Sequence, residues 1–171
     1  MLKLFLPSEY VKNVYEISPY SLKERGIKGI ITDLDNTLIE WDRPNATPEL
    51  ERWLESMKEN GIKVTVVSNN NEQRVKDFAD PLLIPFIHSA RKPMNRAFKQ
   101  ALATMELQAS DVVVIGDQLL TDVLGGNRLG LYTILVVPVA QTDGFVTRFN
   151  RKVERLIMRN LRQKGLIQWE E

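Results

Sequence analysis

The chain has 171 residues, of which 43% are apolar and 26% are charged, as in an ordinary globular protein of one domain. Basic residues number 23 and acidic residues 22, and this balance argues against a polybasic nucleic-acid binder. Cysteine is absent and His88 is the sole histidine, which excludes disulfides, thiolate nucleophiles and zinc sites built from Cys or several His residues. The remaining chemistry is a hard cation on oxygen ligands, with a hydroxyl, amine or carboxylate as any nucleophile.

The first ten residues contain only a short apolar run, which Pro7 interrupts, and this is too short for a secretory signal. No stretch approaches the roughly 18 apolar residues of a membrane span. We therefore expect a cytoplasmic protein.

Five short apolar runs rich in β-branched residues predict five strands, and stretches with helical periodicity lie between them. The predicted strands are residues 27–32, 62–67, 83–88, 112–115 and 131–137, and the predicted helices are residues 47–60, 72–78, 93–105 and 119–129. Strands with little polar alternation, separated by helices, indicate an α/β fold with a doubly wound, Rossmann-like parallel sheet that helices cover on both faces.

Polar side chains follow four of these strands. Asp33 and Asp35 follow the first strand, Ser68 the second and Asp117 the fourth, and Lys92 comes shortly after the third. In parallel α/β sheets ligands bind at the carboxyl ends of the strands, so we expect these side chains to converge. Residues i and i+2 of extended backbone face the same way, which lets both aspartates of the first group share one crevice.

The chemistry of such a cluster can be derived from its residue types. Carboxylates held close together repel one another, and Mg²⁺ neutralises them while keeping room for phosphate oxygens. One carboxylate can attack phosphorus, and a second can protonate the leaving oxygen and then activate water. Ser68 can hold phosphate oxygens, and Lys92 can stabilise the charge of the transition state. Two alternatives are acids that merely end a strand and the acidic site of a phospho-receiver domain, although the latter draws its acidic pair and its phospho-acceptor from different strands.

Four segments occur in an order that resembles the haloacid dehalogenase (HAD) superfamily: DLDNTL, SN, KP and GDQLLTD. The gaps are 35 residues from Asp33 to Ser68, 24 to Lys92 and 25 to Asp117. The GDxxxTD spacing is similar to that of the subfamily IIIA phosphatases. The segment EISPYSLKERGIKGIITDLDNTL resembles the YqeG-type bacterial proteins and the related phosphatidylglycerophosphate phosphatases.

The resemblance implies a role for each matching residue. Asp33 would be the nucleophile and a magnesium ligand, Asp35 the acid/base that also ligates the metal through its backbone carbonyl, and Asp117 a further ligand. Ser68 and Lys92 would bind the substrate phosphate and stabilise the intermediate.

The resemblance also implies roles in the site for three further residues. The backbone of Asn69 would contact the phosphate. Thr37 and Asp122 would support the site, the latter by holding the metal's water shell or by orienting Lys92. Gln118 departs from a common pattern of the superfamily, which places a second aspartate there.

The short intervals between the motifs leave no room for an inserted cap domain. We therefore expect residues 1–144, including the N-terminal lead-in, to form a capless catalytic domain with an open site. Such a site suits a phosphorylated substrate that is large or bound at a surface.

Residues 145–171 predict a basic amphipathic helix that packs on the same domain. They contain seven basic and three acidic residues, whereas residues 1–144 contain 16 basic and 19 acidic ones. The apolar positions recur at spacings of three and four. They are Phe145, Val146, Phe149, Val153, Leu156, Ile157 and Leu161. Two alternatives to packing remain: a helix attracted to anionic lipid at a membrane surface, and a surface for nucleic acid or a partner protein.

The sequence thus predicts a Mg²⁺-dependent phosphatase that hydrolyses a phosphomonoester through an aspartyl-phosphate, with phosphatidylglycerophosphate as one candidate substrate. The alternative from a different class is a HAD-fold regulatory or binding module with vestigial activity. Transfer of the phosphoryl group to an acceptor other than water is also open.

Overall fold

The sheet has six parallel strands in the order β1-β6-β5-β2-β3-β4. The computed structural model describes residues 1–142 and 145–169, with the side chains of Phe145 and Val146 outside the description. The strands are β1 (Glu9–Val11), β2 (Gly29–Thr32), β3 (Lys63–Val67), β4 (Phe86–Ile87), β5 (Val112–Gly116) and β6 (Tyr132–Val136). The α-helices are α1 (Pro19–Glu24), α2 (Pro48–Glu59), α3 (Glu72–Ala79), α4 (Asn95–Met105), α5 (Leu124–Arg128) and α6 (Phe145–Gln163).

The prediction of five strands is wrong by one, because β1 at the sheet edge adds a sixth. This strand has only three residues and pairs with β6. Ser8 reinforces the pairing, since its side chain and backbone exchange hydrogen bonds with Thr133 at 3.1 and 3.2 Å. So short a segment has no hydrophobic pattern of its own, and its partner strand determines its conformation.

The third predicted strand, over residues 83–88, is shorter in the structure and consists only of the two residues of β4. Leu83 has a left-handed backbone (φ 56°) and is 87% exposed, so the chain is still turning there. Pro85 has no N–H group and takes part in the sheet only through its carbonyl, which accepts from the backbone N–H of Val66. The strand therefore begins after the proline.

The predicted helix over residues 119–129 divides into a wide π-helical turn at Leu119–Val123 and then α5. Its glycine pair permits close packing. A Cβ on Gly125 would lie 2.4 Å from the ring of Phe98, and one on Gly126 would lie 2.6 Å from Thr133. The pair therefore lets α5 approach α4 and the sheet more closely than side chains would allow.

Strand register brings the functional loops to one edge. Thr32 of β2 lies beside Val66 of β3 and Ile115 of β5. The chain therefore leaves these three neighbouring strands at the same end of the sheet. Ile30 and Ile31, adjacent on β2, are both buried but belong to separate hydrophobic clusters, so both faces of the sheet are covered.

Helix α6 packs against the π-helical turn and β6. Met158 and Leu161 are buried in a cluster with residues of the π-helical turn and with Leu135 of β6. The predicted apolar stripe is divided, because Leu161 is fully buried whereas Phe149 and Leu156 are 66% and 61% exposed. Phe145 and Val146, which belong to the same predicted stripe, lie outside the described side chains.

The connections between the functional strands are short. The described chain places α2 between β2 and β3, and α3 with one 3₁₀ turn between β3 and β4. No helix in the described residues is both long enough and apolar enough to cross a bilayer.

Candidate active site

Three buried aspartates converge at the carboxyl end of the sheet. Asp33, Asp117 and Asp122 each place a carboxylate oxygen within 4.8 Å of the other two. Asp33 continues β2, and its backbone N–H donates to the carbonyl of Ile115 at 2.9 Å, so the sheet itself fixes the position of this residue. The burial of three neighbouring acids requires compensating positive charge.

Lys92 supplies part of that charge. Its Nζ lies 2.6 Å from Asp122 Oδ1 and 3.1 Å from Asp33 Oδ1, and its side chain is 2% exposed. Burial alone would lower the pKa of Lys92, but the two carboxylates outweigh burial and raise it. The lysine is therefore a permanent cation that bridges two of the three acids.

Asp117 has two different partners for its carboxylate oxygens. Thr37 Oγ1 donates to Oδ1 at 2.9 Å, and the guanidinium of Arg151 pairs with Oδ2. Arg151 Nη1 also donates to the Asp117 backbone carbonyl at 2.6 Å, so one arginine of α6 holds this residue at two points. Burial and the nearby charge of Asp33 raise the pKa of Asp117 well above its usual range, and Arg151 opposes the rise.

Asp122 folds back onto the end of β5. Its Oδ2 accepts from the Gln118 backbone N–H at 3.2 Å, and its Cγ would lie 2.2 Å from a Cβ on Gly116. Only glycine therefore allows this carboxylate to approach the strand. Burial raises the pKa of Asp122 to about 6, although the charge of Lys92 opposes the rise.

Asp35 lies apart from this cluster. Its carboxylate accepts from Asn70 Nδ2 at 2.8 Å and Arg74 Nε at 3.1 Å, and its side chain is 22% exposed, against 8% for Asp33. Burial raises the pKa of Asp35 despite these bonds, and the charge of Asp33 adds to the rise. A carboxyl group that is partly accessible and has a raised pKa suits proton transfer.

Ser68 and Asn69 form the loop after β3. Ser68 is buried, and its Oγ accepts from the Asn70 backbone N–H at 3.1 Å. Asn69 Oδ1 accepts from the Lys92 backbone N–H at 2.7 Å. The Asn69 side chain thus fixes the backbone that presents Lys92, a role that sequence reasoning did not assign to it.

The donor set of the cluster fits a hard cation. The three aspartates offer carboxylate oxygens, which hard cations prefer. The Oε1 atom of neighbouring Gln118 is a further oxygen, buried and with no hydrogen-bond partner among the described residues. The predicted metal ligands were Asp33, Asp35 and Asp117. Asp35 was predicted to ligate through its backbone carbonyl, and the other two through their carboxylates. The carboxylates that converge are those of Asp33, Asp117 and Asp122, while the Asp35 side chain pairs with Arg74.

Sequence reasoning missed Arg74, Asn70, Arg151 and Glu154. Asn70 lies in the loop just after the SN motif, and Arg74 lies in the helix predicted over residues 72–78. Glu154 is buried, accepts from the backbone N–H of Leu120 at 3.1 Å, and pairs with Arg151 at 3.3 Å. A single acid within a basic helix is a weak signal for an inward-facing position, and Arg151 has no distinguishing signal.

A cavity of about 750 Å³ opens beside the acid cluster. Apolar residues of β6 and α6, including Leu135 and Met158, form much of its wall, and Asp117 lies at its border. Four basic residues of α6 also line it: Arg148, Arg151, Lys152 and Arg155. An anionic ligand with an apolar body would match this lining.

The Arg151–Asp117 pair predicts a stability change that depends on metal. Arg151→Met leaves the buried Asp117 carboxylate without its cation, so in EDTA we expect a loss of about 2–4 kcal/mol in the free energy of unfolding. For a chain of this size that loss lowers the melting temperature by roughly 5–12 °C. Added Mg²⁺ should recover part of the loss, because a divalent cation neutralises the same carboxylate.

Thermal denaturation with and without Mg²⁺ measures both effects. Arg159→Met is the matched control, because this exposed arginine lies on the same helix and should leave the melting temperature within about 1 °C of the parent. An unchanged melting temperature for Arg151→Met in EDTA would show that the pair does not compensate Asp117.

Two family models match this chain in adjoining segments. The model described as haloacid dehalogenase-like hydrolase matches residues 30–90, and the model described as HAD-hydrolase-like matches residues 89–140. Together they include the four segments that carry the acids, Ser68 and Lys92.

Curated relatives and a solved structure extend the comparison. The probable phosphatase YqeG of Bacillus subtilis is 70% identical over 99% of this chain and 98% of that protein. The chloroplastic/mitochondrial phosphatidylglycerophosphate phosphatase 1 of Arabidopsis thaliana is 28% identical over 94% of this chain and 49% of that protein.

The cobalt-bound deoxy-D-mannose-octulosonate 8-phosphate phosphatase YrbI of Haemophilus influenzae has a TM-score of 0.50 at 19% identity, covering 56% of this chain and 61% of that one. This last likeness concerns the fold alone. The 70% identity over nearly the whole length, with both family models, shows that the chain belongs to the haloacid dehalogenase superfamily of hydrolases and is one of its phosphatases.

Proposed function

We propose that this protein is a Mg²⁺-dependent phosphomonoesterase that works through an aspartyl-phosphate on Asp33. The observation that carries the proposal is the buried cluster in which Lys92 bridges Asp33 and Asp122 while Asp117 lies within 4.8 Å of both acids. A nucleophilic carboxylate beside a fixed cation and a cation-binding acid is the arrangement that phosphoryl transfer needs.

The reaction divides into two displacements at phosphorus. A carboxylate oxygen of Asp33 forms a bond to phosphorus as the ester P–O bond breaks, and Asp35 donates its proton to the departing alcohol oxygen. Water then attacks the phosphorus of the aspartyl-phosphate, Asp35 takes a proton from that water, and the bond to Asp33 breaks to release inorganic phosphate. The raised pKa of Asp35 favours a carboxyl group that carries a proton at the start of the reaction. Its hydrogen bonds to Arg74 and Asn70 hold this group in place.

The surrounding residues stabilise charge. Mg²⁺ held by the Asp33 and Asp117 carboxylates and the Asp35 backbone carbonyl would act as a Lewis acid on the phosphoryl oxygens. Lys92 offers a second positive charge beside Asp33, with Ser68 and the Asn69 backbone holding the phosphate. Thr37 and Asp122 support the site, the first by donating to Asp117 and the second by holding Lys92 at 2.6 Å.

The proposed substrate is large and phosphorylated, since the described chain has only short connections around an open, capless site. An apolar cavity with basic residues beside Asp117 favours an amphiphilic phosphate ester. Phosphatidylglycerophosphate has this chemistry, and it is the substrate in the name of the Arabidopsis thaliana relative.

A panel of phosphate esters tests the proposal. We expect released phosphate to rise with added Mg²⁺ and to fall to background in EDTA, because the acid cluster then lacks the cation that neutralises it. Phosphatidylglycerophosphate in mixed vesicles should be turned over faster than sugar phosphates, nucleotides or a phosphoprotein.

Inorganic phosphate release is the readout, and added alcohol acceptors distinguish hydrolysis from transfer. A complete lack of turnover on every class in Mg²⁺ would favour the alternative of a regulatory or binding module. A preference for a small sugar phosphate would contradict the proposed amphiphilic substrate but not the proposed phosphatase activity.

A further inference from the structure

Helix α6 presents three separate longitudinal surfaces. Its inward face places Glu154, Met158 and Leu161 in the protein at spacings of four and three. An outer ridge of Phe149, Val153 and Leu156 repeats the same spacing about 140° around the helix. On the opposite, wider arc between these two surfaces runs a basic stripe with spacings of four, three, four and three. It consists of Arg148, Lys152, Arg155, Arg159 and Arg162, and all five residues are exposed.

The outer ridge is unusual for a helix that is already packed. Phe149 and Leu156 are 66% and 61% exposed, although the helix has a complete inward face. The packing of α6 against the sheet leaves most of these two large apolar side chains in water. They favour an apolar environment outside the molecule.

Charge restricts what that environment can be. Among the residues of α6, Glu154 is the sole acid, and it is buried and turned inward toward Leu120. The outward surface of the helix therefore combines apolar side chains with positive charge and no negative charge. A bilayer that contains anionic lipid has both matching features, an apolar interior below a negative surface.

We infer that α6 docks on an anionic membrane surface, with the outer ridge inserted at the headgroup boundary and the basic stripe against the lipid phosphates. A nucleic acid would satisfy the basic stripe but would leave the outer ridge in water. The occupant with both chemistries is a lipid surface.

The position of α6 gives the docking a consequence for catalysis, and this part rests on the proposed function. Arg148, Lys152 and Arg155 of the basic stripe also line the cavity beside Asp117. A membrane that contacts the basic stripe therefore lies next to the opening through which an amphiphilic phosphate ester would reach the acid cluster. Substrate could enter from the lipid layer without first crossing bulk water.

Co-sedimentation of the full chain with vesicles tests the docking. At low salt we expect binding to vesicles of equal parts phosphatidylcholine and phosphatidylglycerol, and none to vesicles of phosphatidylcholine alone. Phe149→Ser combined with Leu156→Ser should weaken binding by about tenfold or more, since it removes the apolar contact. Arg159→Glu combined with Arg162→Glu should weaken it similarly and reduce its salt dependence.

Matched controls lie elsewhere on the surface. Leu83→Ser removes an apolar side chain that is 87% exposed, and Arg52→Glu with Lys58→Glu reverses two exposed charges on α2. Both controls should bind like the parent. Hydrolysis of soluble p-nitrophenyl phosphate should be equal in every variant, because none of these residues belongs to the acid cluster or the cavity.

Lack of binding by the parent chain to anionic vesicles overturns the inference, as does equal binding by the outer-ridge variant. Retarded migration of an RNA probe that Arg159→Glu with Arg162→Glu abolishes, without vesicle binding, would overturn it in favour of nucleic acid. Vesicle binding without any turnover would instead uphold the docking and contradict the proposed function, so the two failures are distinguishable.

Discussion

Asp33→Asn should reduce phosphomonoester turnover by at least about a thousandfold. The amide has nearly the same shape as the carboxylate but cannot act as the nucleophile toward phosphorus. The backbone N–H bond from residue 33 to Ile115 and the Lys92–Asp122 pair at 2.6 Å do not need this carboxylate, so the fold should persist. Phosphate release at saturating Mg²⁺ measures the effect.

Asp42→Asn is the control for Asp33→Asn, because it makes the same change at an exposed position of the following loop. It should retain full turnover. Circular dichroism and thermal denaturation verify that both variants are folded. Turnover by folded Asp33→Asn within tenfold of the parent would exclude the aspartyl-phosphate mechanism.

The second large effect is expected for Lys92→Met, which should lose both activity and stability. The substitution keeps most of the length of the side chain but leaves Asp33 and Asp122 buried without their shared cation. Removal of one partner from a buried ion pair destabilises by about 3–5 kcal/mol. For this chain that corresponds to a decrease of roughly 10 °C in melting temperature, with turnover lower by about a thousandfold.

Thermal denaturation in EDTA isolates the stability effect from any contribution of metal. Lys99→Met, at an exposed position of α4, is the matched control and should change neither property. Normal stability of Lys92→Met would contradict the inference that Lys92, at 2.6 and 3.1 Å from Asp122 and Asp33, compensates the burial of these two acids.

The sequence was sufficient to predict where the strands end. Apolar runs mark β2, β3 and β5, and parallel strands end at one edge, so Asp33, Ser68 and Asp117 follow their strands at the same edge of the sheet. The short β1 was unpredictable because its stability comes from β6 and from Ser8, not from a pattern in its own three residues.

Alternation along a strand does not predict the orientation of the Asp35 side chain. The rule that residues i and i+2 face alike holds while the chain is extended. After Asp33 the chain turns, with a left-handed backbone at Asn36 (φ 60°) and a bridge from Asp35 to Ile39. The carboxylate of Asp35 therefore reaches Arg74 in the next motif's helix.

Arg151 was equally beyond a motif-based prediction. It contacts Asp117 across 34 residues of sequence, and only the docking of α6 against the π-helical turn brings the two together. In the sequence it is one of seven basic residues in a charged segment. Contacts that depend on how one element lies on another have no signature in local spacing.

Gly116 imposes a condition on the sequence that differs from that of a turn glycine. At Gly26 and Gly61 the backbone is left-handed and the space around a Cβ is empty, so backbone strain alone opposes a side chain, and asparagine tolerates this conformation better than most residues. At Gly116 every side chain, however small, would enter the volume of the Asp122 carboxylate. The position therefore has no conservative replacement. Any substitution of Gly116 would displace Asp122, which Lys92 holds in place.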